Sequence, residues 1–270
     1  RHLEIHAVTR KIALFDMDYT IIPYDTLILF AGYVIRRKPW RIFYLALFVP
    51  AAAAYVLGLT GRGGLKRAFL SVLWRLRKEE VHSLAESFSR DVLEGLLYKD
   101  LIEEAARIKA DGGQLILNTA SPSFYVNHIA KAAGFDEVVA TEVVLEERMP
   151  LFPRIHSKNN RGIEKLLRMP EICGESLIES IRTDYERLSK NPSLFDARPI
   201  ANSTGYSDSS ADLPLLRICE KKTLVHPSKN LEELGKAQSW RILRPRRPYS
   251  GKIEKYVRLC LCLVGLLRLQ

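Results

Sequence analysis

The stretch Lys11-Ile-Ala-Leu-Phe-Asp16-Met-Asp18-Tyr-Thr20 decides how this 270-residue chain is read. Its first half is a short unbroken apolar run, the pattern of a parallel strand buried on both faces. Its second half sets two carboxylates, Asp16 and Asp18, one residue apart. They cannot both point into a core, so they mark a strand end that opens into a site. Downstream, Gln114-Leu-Ile-Leu-Asn118 repeats the apolar run, Glu137 to Leu145 and Pro199 to Tyr206 read as further strands, and Thr223-Leu-Val-His226 reads as a short last one. Helical segments alternate with them. The longest runs from about Leu27 to Ala110, with breaks expected at Pro39, Pro50 and Gly61 to Gly64, and another begins at Ser121-Pro122 and ends near Gly134. Ile172 to Asp196 has helical periodicity and reads as a surface insertion. This alternation predicts an α/β fold, a Rossmann-like parallel sheet with helices on both faces and a long helical insertion after the first strand.

Composition excludes disorder and collagen-like repeats, since 47% of the residues are hydrophobic. The formal net charge is +10, with 41 Lys and Arg against 31 Asp and Glu, and it is unevenly placed. Residues 26 to 78 hold ten basic side chains and no acid, residues 236 to 258 hold eight and one, and the remainder is net acidic. A basic patch serves nucleic acid or an anionic membrane surface. Here its neighbour is apolar: Ile42 to Gly61 is twenty residues without a charge, flanked by Arg36, Arg37, Lys38 and Arg41 before and Arg62, Lys66 and Arg67 after. An anionic membrane surface is therefore the expected partner, and no nucleic acid is expected. A single crossing there would put Asp16 and Thr119 on opposite sides of a bilayer. The segment is thus an interfacial or re-entrant helix pair broken at Pro50, one of an even number of crossings with Leu27 to Ile35, or a buried helix of a soluble protein. Leu259 to Leu267 is too short to span and suits a surface-lying anchor. Four cysteines without CxxC spacing indicate neither a disulfide framework nor a zinc knuckle and fit a reducing compartment. The location expected is the cytoplasmic face of a membrane, peripheral or re-entrant, with a soluble cytoplasmic protein as the alternative. Arg1 to His6 lacks the apolar core of a secretory signal, and a first residue other than Met leaves an upstream leader open.

The chemistry gathers at strand ends. The first strand ends in Asp16-Met-Asp18, the second in Thr119-Ala-Ser121-Pro122, and a late one in Tyr206-Ser-Asp208-Ser-Ser-Ala-Asp212-Leu-Pro214, with Lys165 in helical context between the last two. Acids, a hydroxyl and a lysine so arranged call for a phosphate monoester and a divalent cation. Mg²⁺ takes hard oxygen ligands, and the Asp16 carboxylate, the Asp18 carbonyl and the Asp208 carboxylate would supply them. Asp16, its charge neutralised by metal and Lys165, can attack phosphorus, and Asp18 can protonate the leaving alcohol and then activate water. Thr119 offers a hydroxyl, and the helix start at Ser121 offers N–H groups, to phosphoryl oxygens.

These four motifs resemble those of the haloacid dehalogenase superfamily of phosphatases. Ser121-Pro122 and Asp212-Leu-Pro214-Leu resemble its phosphoserine-phosphatase-like branch, subfamily IB, which includes bacterial phosphatidylglycerophosphatases. The resemblance covers roughly residues 10 to 240. It implies a helical cap between the first two motifs, and so a division into core 1–26, apolar and basic cap 27–110, core 111–235 and basic amphipathic tail 236–270. It implies Asp16 as nucleophile, Asp18 as acid/base, Thr119 and Lys165 as phosphate ligands, Asp16, Asp18 and Asp208 around Mg²⁺, and Asp212 steering Lys165 or a metal-bound water. Lys158 lies close enough to Lys165 to be its rival. Tyr19 stands where a small residue is common, Ser207 replaces a usual glycine, and the gap from Lys165 to Asp208 is long.

Blander readings stand beside these. Asp16 and Asp18 as solvated turn residues, Thr119 as a strand-end cap and Lys165 as a surface lysine are the alternatives. Asp25 reads as a helix N-cap, and His128, His156 and His226 show no ligand spacing. The function expected is a Mg²⁺-dependent phosphomonoesterase acting through an aspartyl-phosphate on a lipid or membrane-proximal phosphate. The alternatives are a small-molecule phosphatase of the phosphoserine phosphatase type and a non-catalytic membrane-associated module of the same fold.

Overall fold

A computed structural model describes residues 11–156 and 158–268, the side chains of residues 93 and 94 excepted. The reading of Arg1 to His6 falls outside them. Among the described residues six strands form one parallel sheet: β1 (Ile12–Phe15), β2 (Gln114–Pro122), β3 (Glu137–Thr141), β4 (Ile200–Ser207), β5 (Cys219–Val225) and β6 (Arg241–Leu243). Their order is β3-β2-β1-β4-β5-β6. The chain therefore leaves β1 in one direction for β2 and β3 and returns on its other side with β4. That reversal puts a crevice beyond the carboxyl ends of β1 and β4, where open parallel sheets bind ligands.

Between β1 and β2 lie α1 (Thr26–Arg37), a 3₁₀ segment (Pro39–Leu47), α2 (Phe48–Val56), α3 (Arg62–Phe69), a 3₁₀ turn (Leu70–Leu73), α4 (Lys78–Gly95) and α5 (Lys99–Ala110). This is the expected helical insertion. Pro39 begins the 3₁₀ segment, but the helical stretch runs on through Pro50, which falls in the first turn of α2 where proline is tolerated, so the break expected there does not occur. α6 (Ser123–Ala132) joins β2 to β3. α7 (Glu164–Leu167), α8 (Pro170–Cys173), α9 (Glu175–Thr183) and α10 (Tyr185–Lys190) lead to β4. α11 (Leu213–Arg217) and α12 (Lys229–Ala237) join the last strands, and α13 (Lys252–Leu263) packs against α1.

Strand alternation divides the core. Ala13, Phe15, Leu115 and Leu117 face α1, α4 and α6, while Leu14 and Ile116 face the opposite layer. Phe15 pairs with Tyr206 across β1 and β4, and the two rings stack at 4.1 Å. Burying one such ring stabilises the fold by about 2 kcal/mol. The stretch read as a surface insertion, Ile172 to Asp196, turns out to complete that opposite layer. Ile181, Leu188 and Phe195 pack with Leu14, Ile116 and Leu215. β6 has no counterpart in the sequence reading, where its three residues lie inside a basic stretch.

Pro39–Val56 is a continuous helical stretch long and apolar enough to cross a membrane, and only 6% of it is buried. It lies on the surface of the helical insertion. α3 folds back against α2 and the 3₁₀ segment, so the chain before and after the stretch belongs to one body.

Candidate active site

The loop after β1 turns sharply because Tyr19 adopts φ +61°. A left-handed aromatic residue costs about 1–3 kcal/mol, and this one is braced: the Lys255 ammonium of α13 lies 4.6 Å from its ring centroid. The turn directs Asp16 and Asp18 to different partners.

Asp16 is nearly buried at the floor of a cavity of about 680 Å³. Lys165 Nζ donates to its Oδ1 at 2.7 Å and to Asp212 Oδ2 at 2.8 Å. Lys165 reaches this point because Gly162, at φ +60°, turns the chain into α7 beside the Ala211 carbonyl. Burial alone would lower the pKa of this ammonium, but the carboxylates of Asp16 and Asp212 outweigh it and hold the pKa above the ordinary lysine value. Burial raises Asp16 to about 7, against the pull of Lys165 and with the repulsion of Asp212. Ser207 donates its hydroxyl to Asp212 Oδ2 at 2.8 Å and so helps to fix the carboxylate that holds Lys165.

Asp208 follows β4 and closes the opposite side. Its backbone N–H donates to Thr20 Oγ1 at 3.1 Å, and the same hydroxyl lies 3.4 Å from Asp208 Oδ1 and 3.5 Å from Asp16 Oδ2. Thr20 therefore sits between two carboxylates. Burial, then the charges of Asp16 and Asp212, push the Asp208 carboxyl well above its ordinary range. Among the described residues no group of three or more His, Cys, Asp or Glu side chains is placed to hold a metal ion. The donors at hand are the carboxylates of Asp16 and Asp208, on either side of the Thr20 hydroxyl. Their mutual repulsion and hard-oxygen chemistry fit a cation of the Mg²⁺ kind.

The Asp18 carboxylate turns the other way. Its Oδ2 accepts from Ser121 Oγ at 2.6 Å and its Oδ1 from the Thr26 N–H at 2.9 Å. Burial and the nearby Asp25 raise it to about 6, which keeps a protonated fraction near neutrality. Thr119 is buried, and its hydroxyl accepts from the Ser121 N–H at 3.1 Å. The helix expected from Ser121 starts at Ser123, because β2 continues to Pro122.

The sequence left Lys158 open against Lys165. Lys158 is exposed, 3.7 Å from Glu164 and over the Tyr185 ring, away from the cavity. Asp25 is the N-cap of α1, accepting from the Leu27 and Ile28 N–H groups at 3.0 and 3.1 Å, and it also lines the cavity. Lys66 was missed as a site residue. From α3 it reaches over the site to the Ala120 carbonyl and Asn159 Oδ1, and burial lowers it to about 8 despite Asp18 and Asp25. In the sequence it was one cation of a basic flank, with no spacing to single it out.

A sheet of order 3-2-1-4-5-6 with acids beyond β1 and β4 and a buried lysine bound to them defines a Rossmann-like α/β scaffold with a polar site at its switch point. The chain belongs to the haloacid dehalogenase-like hydrolase family, whose sequence profile matches residues 13–217. It is similar to the "Inhibition of morphological differentiation protein" of Streptomyces azureus, 23% identical over 255 residues, which span 91% of this chain and 82% of that protein. Among solved structures it resembles a Bordetella pertussis Tohama I protein of unknown function, with a TM-score of 0.65, 24% identity and coverage of 87% of this chain and 99% of that one. It also shares the fold of a phosphoserine phosphatase solved as an analogue of its phospho-aspartyl intermediate, with a TM-score of 0.50, 16% identity and coverage of 88% and 95%. Family and fold thus class the chain with the haloacid dehalogenase-like hydrolases, and its fold is shared with a phosphoserine phosphatase. Its substrate is a separate question.

Proposed function

We propose that this protein is a Mg²⁺-dependent phosphomonoesterase that works through an aspartyl-phosphate on Asp16. The observation that carries the reading is the buried Lys165 bound to both Asp16 and Asp212 at the cavity floor. An ammonium there draws phosphoryl oxygens to Asp16 and offsets the repulsion between two anions. Asp16 attacks phosphorus as the bond to the leaving alcohol breaks, and Asp18 gives its proton to that oxygen. Asp18, now a base, takes a proton from water, whose oxygen attacks phosphorus and frees Asp16 and inorganic phosphate. Thr119 and Lys165 hold the phosphoryl group, Asp212 keeps Lys165 in place, and Ser121 orients Asp18. Asp16 and Asp208, with the Asp18 carbonyl, would hold Mg²⁺, which when bound neutralises phosphoryl charge.

The fold likeness favours a small phosphomonoester of the phosphoserine kind. A second reading, a lipid phosphomonoester met at the cytoplasmic face of a membrane, is favoured by the apolar side of the cavity, where Leu45, Phe48, Leu65, Phe69 and Leu263 could cover acyl chains. Phosphoserine, an aryl phosphate and a lipid phosphate in mixed micelles should be assayed side by side with and without Mg²⁺. Metal-dependent turnover of any of the three supports the reaction, and the ratio of kcat/KM values selects the substrate. No turnover of the three would leave the non-catalytic module.

A further inference from the structure

Two surfaces of this molecule are more apolar than a solvated surface requires, and they meet at the same cavity. On the cap, Trp40, Phe43, Val49, Val56, Leu57 and Leu59 are exposed, Phe43 at 76% and Val56 at 83%. Arg41, by contrast, is buried and donates to the Val72 and Trp74 carbonyls at 2.7 and 2.9 Å, which fixes the stretch to the cap in this attitude. On α13, Leu259 and Cys262 face inward against α1, whereas Ile253, Tyr256, Val257 and Leu261 follow helical spacing on the outside, Ile253 at 82%. Both elements also line the cavity, Leu45 and Phe48 from the cap stretch and Leu263 from the end of α13. Large apolar side chains exposed in clusters on two such elements mark an interaction surface.

Charge decides the occupant. Arg37 and Arg62 flank the cap stretch, Arg36 and Lys38 beside them also reach Asp91 and Glu80 at 3.9 and 2.6 Å, and Lys252 and Lys255 accompany the stripe of α13 with Glu254 between them. A second copy of this chain would set cations against cations, whereas an anionic lipid surface accepts the apolar residues and the cations together. On such a surface the stretch would lie flat and not cross, because α3 folds back against α2 and the 3₁₀ segment. We propose that the exposed faces of Trp40 to Leu59 and of α13 form one bipartite surface that docks the protein peripherally on an anionic lipid bilayer, with the cavity mouth held at the interface. This docking is independent of the catalytic reading and is tested without turnover.

The experiment is flotation of the whole chain with phosphatidylcholine vesicles, with and without phosphatidylglycerol, at low and high salt. Two variants are compared with it: Phe43→Ser/Val56→Ser/Leu57→Ser, and Ile253→Ser/Val257→Ser. All five side chains are exposed, and circular dichroism and the melting temperature check that the fold survives. The protein should float with phosphatidylglycerol vesicles, more weakly at high salt, and each variant should bind at least about tenfold less tightly. Equal binding to neutral vesicles, undiminished binding by both folded variants, or no flotation at low salt overturns the proposal. So does a concentration-dependent dimer in sedimentation equilibrium that the variants dissolve, since the occupant would then be a second copy.

Discussion

At the scale of single residues, the site depends on one buried cation shared by two buried anions. Lys165→Met removes the ammonium and leaves Asp16 and Asp212 facing one another without it. We predict that this variant loses about 3–5 kcal/mol of stability in chemical denaturation as well as its turnover. An unchanged denaturation midpoint would mean that the lysine does not neutralise the pair. His226 is a second test, remote from the chemistry. Its ring, half-buried after β5, donates Nε2–H to the Pro245 carbonyl at 2.8 Å, and burial followed by the charge of Arg247 lowers its pKa from 6.5 to about 4. Below pH 6.5 the unfolded chain takes up a proton that the folded chain refuses, so stability must fall as the pH drops from about 6.5 towards 4. The melting temperature of His226→Gln should fall less steeply over that window. Parallel curves would show that His226 carries none of the dependence. The sequence made Asp16, Asp18 and Asp208 legible because strand ends in a parallel sheet converge. It favoured Lys165, which follows Arg161-Gly162, and kept Lys158 as an alternative, because spacing alone does not show that the left-handed turn at Gly162 leads Lys165 inward to Asp16.

At the scale of elements, the least legible feature was the partnership between the first helix and the last. α1 presents Gly32 to the backbone of α13, and a Cβ there would lie 2.1 Å from the Cys262 carbonyl oxygen. Gly32→Ala should therefore push α13 away from α1 and weaken the contact by about 1–3 kcal/mol. Hydrogen exchange in residues 252–268 should quicken while the sheet stays protected. Unchanged protection of α13 would show that the contact is looser than described. A glycine inside an apolar helix has no pattern that names a partner more than 200 residues away, so sequence reading could identify an amphipathic tail but not its seat. The same limit explains Ile172 to Asp196. Its helical periodicity was visible, but a layer covering Leu14 and Ile116 can be recognised only once the sheet is seen to lack cover on that face.

At the scale of the whole molecule, topology does most of the positioning. Reversal of strand order at β1 brings the ends of β1, β2 and β4 together, so residues 16, 119 and 208 line one cavity. The helical insertion carries Lys66 over it from above, and α13 braces Tyr19 from the side. The order of motifs along the chain was enough to foresee this architecture, because right-handed crossovers leave few ways to arrange alternating strands and helices. The contribution of the C-terminal helix was not foreseen, because it follows from packing and not from strand order. The central claim is that Asp16 carries the phosphoryl group during turnover. Its most direct test is rapid acid quenching during hydrolysis of an aryl phosphate in the presence of Mg²⁺, followed by mass spectrometry of the peptide that spans Asp16. We predict a peptide heavier by one phosphoryl group in the wild-type protein, and no such peptide and a loss of turnover of roughly a thousandfold or more in folded Asp16→Asn. Full turnover by folded Asp16→Asn, without a phosphorylated peptide at any quench time, would contradict the account.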